Sequence, residues 1–425
     1  MVGESRQALN ALQVTADDAV GSRFNGLSLR AVFADEAIDV KHLVWNKRLS
    51  EDDAVVKAFD VPLSRTINLG LKLVERALSL QSLLQVQSFA LPAHRCFRQA
   101  DVVHYHIIHN GFFSLTALPW LARLKPSVWT WHDPWIMTGH CIYPLDCARW
   151  QTGCGSCPDL NLPFAMRQDR THFHVAVKRR IIERSRIHVI VASHFMMEMA
   201  TRSPVGRLAQ LHHIPFGLDL DRFRPRDRLA ARRRFGVLDD HVVIGVRAFP
   251  GPYKGLDHFL EALERLAPSR PVTIIASHSS GALERFSGRF QIVNLDWISD
   301  EDLMIDAYAA SDFFVMPSTA EAFGMMAIEA MACARPVIVY DRTSLPEITF
   351  APDFGLSVPQ GDVAALAASI EGLIANPGER EHRGAVGRTL AERHYNGTLH
   401  AKRLANLYRR VVAERRPRQN LPSPL

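Results

Sequence analysis

Two glutamates eight positions apart, Glu321 and Glu329, flank a glycine in the stretch Pro317-Ser318-Thr319-Ala320-Glu321-Ala322-Phe323-Gly324-Met325-Met326-Ala327-Ile328-Glu329. The apolar run Phe313–Met316 leads into it as a strand, and the residues from Gly324 to Cys333 read as a helix. A helix opening there points the N–H groups of Gly324, Met325 and Met326 at an anion, and the helix dipole favours a diphosphate in that place. Glycine lets a ligand approach the backbone closely. Glu321 then lies on the loop, and Glu329, inside the helix, can accept both hydroxyls of a ribose. Exposed charges on an ordinary helix start would be the plainer reading. The preceding strand and the turn Ala332-Cys333-Ala334-Arg335-Pro336-Val337 weigh against it.

A second cluster follows the strand Val242–Val246: Arg247, a Pro/Gly loop, then Lys254 and Gly255 at the start of a helix running to Leu266. Two cations on one loop can grip a diphosphate and stabilise the charge that grows on it as a leaving group. In the amino-terminal half, Trp129-Thr130-Trp131-His132-Asp133 ends a strand. A neutral His132 there can hydrogen-bond a sugar hydroxyl, and Asp133 either orients it or caps the next turn of the chain. His104, His106 and His109-Asn110-Gly111 form an earlier polar cluster. Cys141, Cys147, Cys154 and Cys157 are spaced C-x5-C-x6-C-x2-C, with glycines between them. Four thiolates so placed can close a structural zinc site; buried or free cysteines are the alternative.

The elements that must position these groups alternate between strand and helix nearly throughout. Strands are expected at Ala8–Val14, Val40–Trp45, Val102–His106, Val128–Trp131 and Val189–Ala192. In the second half they are expected at Val242–Val246, Val272–Ala276, Gln291–Leu295, Phe313–Met316 and Pro336–Val339. Two such series imply an α/β chain of two doubly wound parallel-sheet domains. The break falls in Ile214-Pro215-Phe216-Gly217-Leu218, giving domains over 1–213 (with the Cys-rich insertion 138–158) and 214–395. A helix over 396–414 is expected to pack back on the first domain, and 415–425 reads as a disordered tail. One helical segment, Leu69 to Leu84, is strongly apolar with a polar stripe at Lys72, Glu75, Arg76 and Ser79. Either its apolar face packs on the core, or it lies on a membrane or against a lipid-linked acceptor.

At 425 residues, 47% hydrophobic, the chain buries enough surface to fold without disulfides. Met1 to Asn10 has no apolar core of a leader, and no run approaches the ~20 apolar residues of a membrane span, so a cytoplasmic protein is expected. The net charge of +6 favours anionic partners. Among them nucleic acid ranks last, because no recognised nucleic-acid motif is present. Lys178-Arg179-Arg180 with Arg184 and Arg186 could meet anionic lipid at the inner face of the cell membrane.

The string Ile214 to Pro225, Arg247 to Gly255, Ser299 to Leu303, Ser311 to Val339 and Gly355 to Asp362 resembles the family-4 retaining glycosyltransferases of polysaccharide biosynthesis. The insertion after His132 resembles their colanic-acid and O-antigen branch. The resemblance implies the GT-B fold, two Rossmann-like domains facing across a cleft. It implies a nucleotide-diphosphate sugar donor, a glycan or polyprenyl-linked oligosaccharide acceptor, and no metal for catalysis. Carried over residue by residue, Arg247 and Lys254 bind the diphosphate, Glu329 the ribose, and Glu321 the transferred sugar. Gly324 and Met325 then give backbone contacts, and His132 lies near the donor sugar. The loop Thr15 to Gly26 departs from the family pattern because Gly21 and Gly26 are not adjacent; Phe216 and Ala334 stand where Asn and Gly are usual. An epimerase or phosphorylase on the same fold, or a non-catalytic nucleotide-sugar-binding subunit, are the competing readings. The first two lack a motif in this chain, and the intact glutamate pair argues against the third.

Overall fold

A computed structural model describes residues 8–18, 27–59, 62–238, 240–278, 281–295 and 300–415, with the backbone alone for 62–65. The loop holding Gly21 and Gly26, Ser299, and the tail beyond Arg415 lie outside these residues. The chain divides into two compact units. The first gathers Met1–Ala192, Met196–Pro215 and Thr398–Leu425; the second gathers Ser193–Phe195 and Phe216–Gly397.

The strands of the first unit are β1 (Leu9–Asp17), β2 (Ile38–Asn46), β3 (Val55–Lys57), β4 (Val102–His106), β5 (Ser127–Thr130), β6 (His188–Val191) and β7 (Gln210–His213). They form one parallel sheet in the order β3-β2-β1-β4-β5-β6-β7. Those of the second are β8 (Val242–Arg247), β9 (Val272–Ser277), β10 (Gln291–Leu295), β11 (Phe313–Met316), β12 (Val337–Tyr340) and β13 (Leu356–Val358), in the parallel order β10-β9-β8-β11-β12-β13. Strand order therefore reverses between β1 and β4 in one sheet and between β8 and β11 in the other. Such switch points open a crevice at the carboxyl ends of the strands.

Central strands such as β4, β5, β11 and β12 are buried along their whole length, as strands covered on both faces must be. The edge strands β3, β7 and β13 have no clear apolar run in the sequence, because half-exposed edges need none. The helices that bear on the site are α1 (Pro62–Leu78), α2 (Thr171–Ser185), α3 (Leu256–Arg265), α4 (Glu301–Ala310), α5 (Met325–Ala332) and α6 (Gly397–Arg415).

Alternate residues of β8 feed two cores. Val242, Ile244 and Val246 pack with Phe259 and Leu263 of α3, whereas Val243 packs with Ala307 and Ala310 of α4. In the first unit, Ala401, Leu404, Ala405, Tyr408 and Val411 make one stripe of α6 and share a core with Ala11, Val40, Val102 and Val128. No described helix is long and apolar enough to cross a membrane.

Candidate active site

At the switch point of the second sheet, two loops are sewn together. Register pairs Val246 of β8 with Val315 of β11, so Arg247 comes level with Met316 at the strand ends. The Thr319 and Ala320 amides both donate to the Tyr253 carbonyl, at 3.0 and 3.3 Å, and Thr319 Oγ1 donates to the Pro252 carbonyl at 3.0 Å. Gly255 caps α3 in the left-handed region (φ 65°), and a Cβ placed on it would lie 1.8 Å from the Pro317 carbonyl oxygen. Only glycine permits both the conformation and the contact.

The stitching brings the two motifs to one edge. Lys254 Nζ lies 2.8 Å from Glu321 Oε2, with both side chains largely buried. Gly324, at φ 99°, caps α5, whose first internal bond is donated by Ala327 to the Gly324 carbonyl at 3.0 Å. The Met325 and Met326 amides therefore head the helix. Glu329 is fully buried on α5 and accepts a 2.8 Å hydrogen bond from Tyr308 of α4. Glu321, assigned to the transferred sugar, is ion-paired to a residue assigned to the diphosphate. Glu329, assigned to the ribose, is held inside the unit by a tyrosine.

The first unit places its polar groups differently. His106 Nε2 donates to Gln13 Oε1, Gln13 Nε2 donates to Tyr408 Oη at 2.9 Å, and Tyr408 Oη meets His104 Nδ1 at 2.7 Å. His104 Nε2 ends this branch on Thr130 Oγ1 at 2.7 Å. On the other side, His106 Nδ1 lies 2.9 Å from His132 Nε2. With the Gln13 amide oriented this way, His106 donates its one proton to Gln13 and accepts from the Nε2–H of His132.

Burial pushes the His132 imidazole down to about 3, and burial with neighbouring imidazoles holds His104 and His106 well below the usual histidine range. All three are neutral near pH 7. Asp133 caps the next turn by accepting from the Trp135 amide at 2.9 Å, and it lies 3.2 Å from His109 Nε2. Burial works against its ionised form, but His109 and that amide outweigh the cost and lower its pKa.

Among the described residues, no three of Cys141, Cys147, Cys154 and Cys157 bring their sulfurs within 4.8 Å of one another. Cys157 Sγ instead faces His140 Nε2 at 3.4 Å and the Asp159 carbonyl at 3.2 Å. Burial raises Cys141 to about 11, so without a metal it is a thiol. Of the basic run, Arg179, Arg180, Arg184 and Arg186 are exposed and Lys178 lies inside. Lys178 is fully buried, donates to the Trp135 and Thr138 carbonyls at 2.7 and 2.9 Å, and stands 3.5 Å over the Trp135 ring.

Residues 240–376 match the family model described as glycosyl transferases group 1. The D-inositol 3-phosphate glycosyltransferase of Geodermatophilus obscurus is 28% identical over 69% of this chain and 68% of its own length. The GDP-mannose-dependent monoacylated alpha-(1-6)-phosphatidylinositol monomannoside mannosyltransferase of Corynebacterium glutamicum is 30% identical over 48% of this chain and 58% of its own length. Sucrose-phosphate synthase from Thermosynechococcus elongatus superposes with a TM-score of 0.68 at 19% identity, covering 96% of this chain and all of that one. Anabaena HepE in complex with UDP-glucose gives 0.67 at 16% identity, covering 95% of this chain and all of that one. The chain has the GT-B fold, and its residues 240–376 are similar to the group 1 glycosyl transferases.

In both units, several residues that spacing did not single out hold the ones that it did. Tyr308 fixes Glu329, and Gln13 with Tyr408 fixes the histidines. A signal existed for Gln13, a polar residue at an inward position of an otherwise apolar strand. Tyr408 lies on the apolar stripe of α6, where nothing distinguishes it from a packing residue.

Proposed function

We propose that this glycosyltransferase moves a hexose from a nucleoside-diphosphate sugar to a glycan or lipid-linked acceptor, with retention of anomeric configuration. One observation carries the reading. The loops after β8 and β11 are stitched so that Arg247, Lys254, Glu321 and the head of α5 share one sheet edge, at the switch point where such sheets bind ligands. The α5 amides and the two cations receive the diphosphate. Lys254 has three N–H donors, enough to serve Glu321 and a phosphate oxygen together.

The bond between the anomeric carbon and the β-phosphate oxygen breaks while the acceptor oxygen bonds to that carbon from the same face. The acceptor proton passes to the departing phosphate oxygen, and Arg247 and Lys254 stabilise the charge left on the diphosphate. Neutral His132, its tautomer set by His106, bonds a hydroxyl of the transferring sugar. No metal enters this scheme. Relatives named for inositol phosphate and acylated phosphatidylinositol acceptors, together with the polysaccharide resemblance of the motifs, support an acceptor bearing hydroxyls on a polar or lipid-borne head group.

The test is incubation of the full chain with UDP- and GDP-hexoses, offering inositol phosphate in one arm and polyprenyl-diphosphate oligosaccharide in the other. Proton NMR then reads the new anomeric centre. Transfer with the donor's configuration is expected. An inverted product, or donor consumed equally without any acceptor, would overturn the reading.

A further inference from the structure

Helix α1 is built with its faces reversed. An amphipathic helix on a soluble protein buries its apolar stripe and shows its polar one to water. Here the inward row ends in Glu75 and Ser79, both buried. Glu75 accepts from the Leu83 and Leu84 amides at 2.8 and 2.6 Å and from Gln85 Nε2 at 2.8 Å. Ser79, just past the helix, accepts from the Arg167 and Gln168 amides at 2.9 and 3.1 Å, and its carbonyl lies 2.8 Å from His174 Nε2. These polar anchors fix the rotation of the helix about its axis. The opposite side is left to Ile67, Leu69, Leu73, Val74 and Leu78, of which Leu69 and Leu73 are each 61% exposed. Turning the helix to bury them would strand the Glu75 carboxylate and leave the amides it caps unpaired.

The charges on this helix settle what the face can meet. Glu75 is its single acid, and that carboxylate is consumed inside. Lys72 and Arg76 are exposed and rim the apolar stripe. A second copy seated by two-fold symmetry would bring two such cationic rims together with no acid on the helix to offset them. An anionic bilayer accepts both features, the side chains among the acyl chains and the cations among the phosphates. Seventeen residues extend about 26 Å as a helix, and the segment is too polar to span, so it would lie in the interface plane. The chain just downstream continues the theme: Phe89 stacks on Trp120 with centroids 5.8 Å apart, both partly exposed, beside exposed Arg123 and Leu124.

From this geometry we propose that the outer face of α1 seats the first unit on an anionic lipid surface. The inference goes beyond the donor chemistry and does not depend on it. Full-length protein is floated on a density gradient with vesicles of phosphatidylcholine alone, or of phosphatidylcholine mixed equally with phosphatidylglycerol. Wild type is expected to float with the mixed vesicles and stay down with the neutral ones. The pair Leu69→Glu with Leu73→Glu changes only exposed positions and should lower the floated fraction about tenfold or more. Lys72→Glu with Arg76→Glu should remove the preference for phosphatidylglycerol. Melting temperature and nucleotide-sugar affinity, measured in solution on the same variants, should be unchanged. A failure of the donor reading would therefore show separately, as wild type that floats but binds no nucleotide sugar. Wild type that does not float with either vesicle, or Leu69→Glu/Leu73→Glu protein that floats as well as wild type, would overturn the proposal. So would a wild-type dimer in vesicle-free buffer that the same double substitution dissolves.

Discussion

The two units wind their sheets in the same strand order, yet they finish the equivalent edges in opposite ways. In the second, the strands at the switch point run into Gly/Pro loops that carry a lysine–glutamate pair and a helix start without a side-chain cap. In the first, the strand ends carry histidines that bond one another, a glutamine and a tyrosine, all held neutral by burial. One topology thus yields an edge suited to a multiply charged anion and another suited to uncharged hydroxyls. The difference lies in backbone freedom at Gly255 and Gly324 on one side and in desolvated imidazoles on the other.

The contrast can be broken most forcefully at Gly255. An alanine there must adopt φ near 65° and place its Cβ on the Pro317 carbonyl. Gly255→Ala should cost about 3 kcal/mol in urea unfolding and detach the two loops, with donor turnover lost. A variant as stable and active as wild type would mean that the stitching is incidental.

Next in size is Lys178→Met. It leaves the Trp135 and Thr138 carbonyls without their buried donor, and about 2 kcal/mol of stability should go with it. The pH dependence adds a sharper signature. Burial first of all lowers Lys178 to about 7 in the fold, against an ordinary lysine value of 10.5. Between those values the unfolded chain binds the extra proton, so the lysine's contribution to stability rises with pH across that window. The gap between wild type and Lys178→Met in chemical denaturation should therefore widen between pH 7 and pH 10, as the wild-type protein gains stability that the variant does not. A gap that stays constant or narrows would place the charge elsewhere.

Tyr408→Phe is a smaller change. It deletes one hydroxyl between Gln13 and His104 and should cost about 1 kcal/mol in stability, with a modest fall in kcat and little change in KM for the donor. A large rise in donor KM with kcat intact would show that the histidine chain serves binding rather than the sugar's reaction. The smallest expected effect is a null one. With His132 at about 3, the rate profile between roughly pH 5 and pH 8 should carry no limb from this residue, and His132→Gln should not shift the profile's shape. A limb near pH 6.5 that disappears in His132→Gln would contradict the neutral network.

Much of the fold is legible in the residues alone. The runs Val102–His106 and Phe313–Met316 form strands with the expected ends and are covered on both faces, and Gln291–Leu295 forms the half-buried edge strand β10. The glycines before α3 and α5 announce turns that only glycine makes. Pairings are not legible. Lys254 with Glu321 spans 67 positions and Gln13 with Tyr408 spans 395, and neither distance leaves a trace in local periodicity. Composition also misleads about the faces of α1, because a polar stripe looks solvated until Glu75 is seen capping the loop beneath it. For the cysteines, spacing allows a metal site, and in the fold no three of the four sulfurs lie within 4.8 Å of one another.

In the proposed mechanism the diphosphate rests on the edge of the second unit where Lys254 meets Glu321. Titration calorimetry of UDP- and GDP-sugars into wild type and Lys254→Met measures it directly. Lys254→Met should bind the preferred nucleotide sugar about 10- to 100-fold more weakly, the worth of one charged hydrogen bond, while melting close to wild type in nucleotide-free buffer. Equal affinity in the two proteins would contradict the claim that this edge holds the diphosphate.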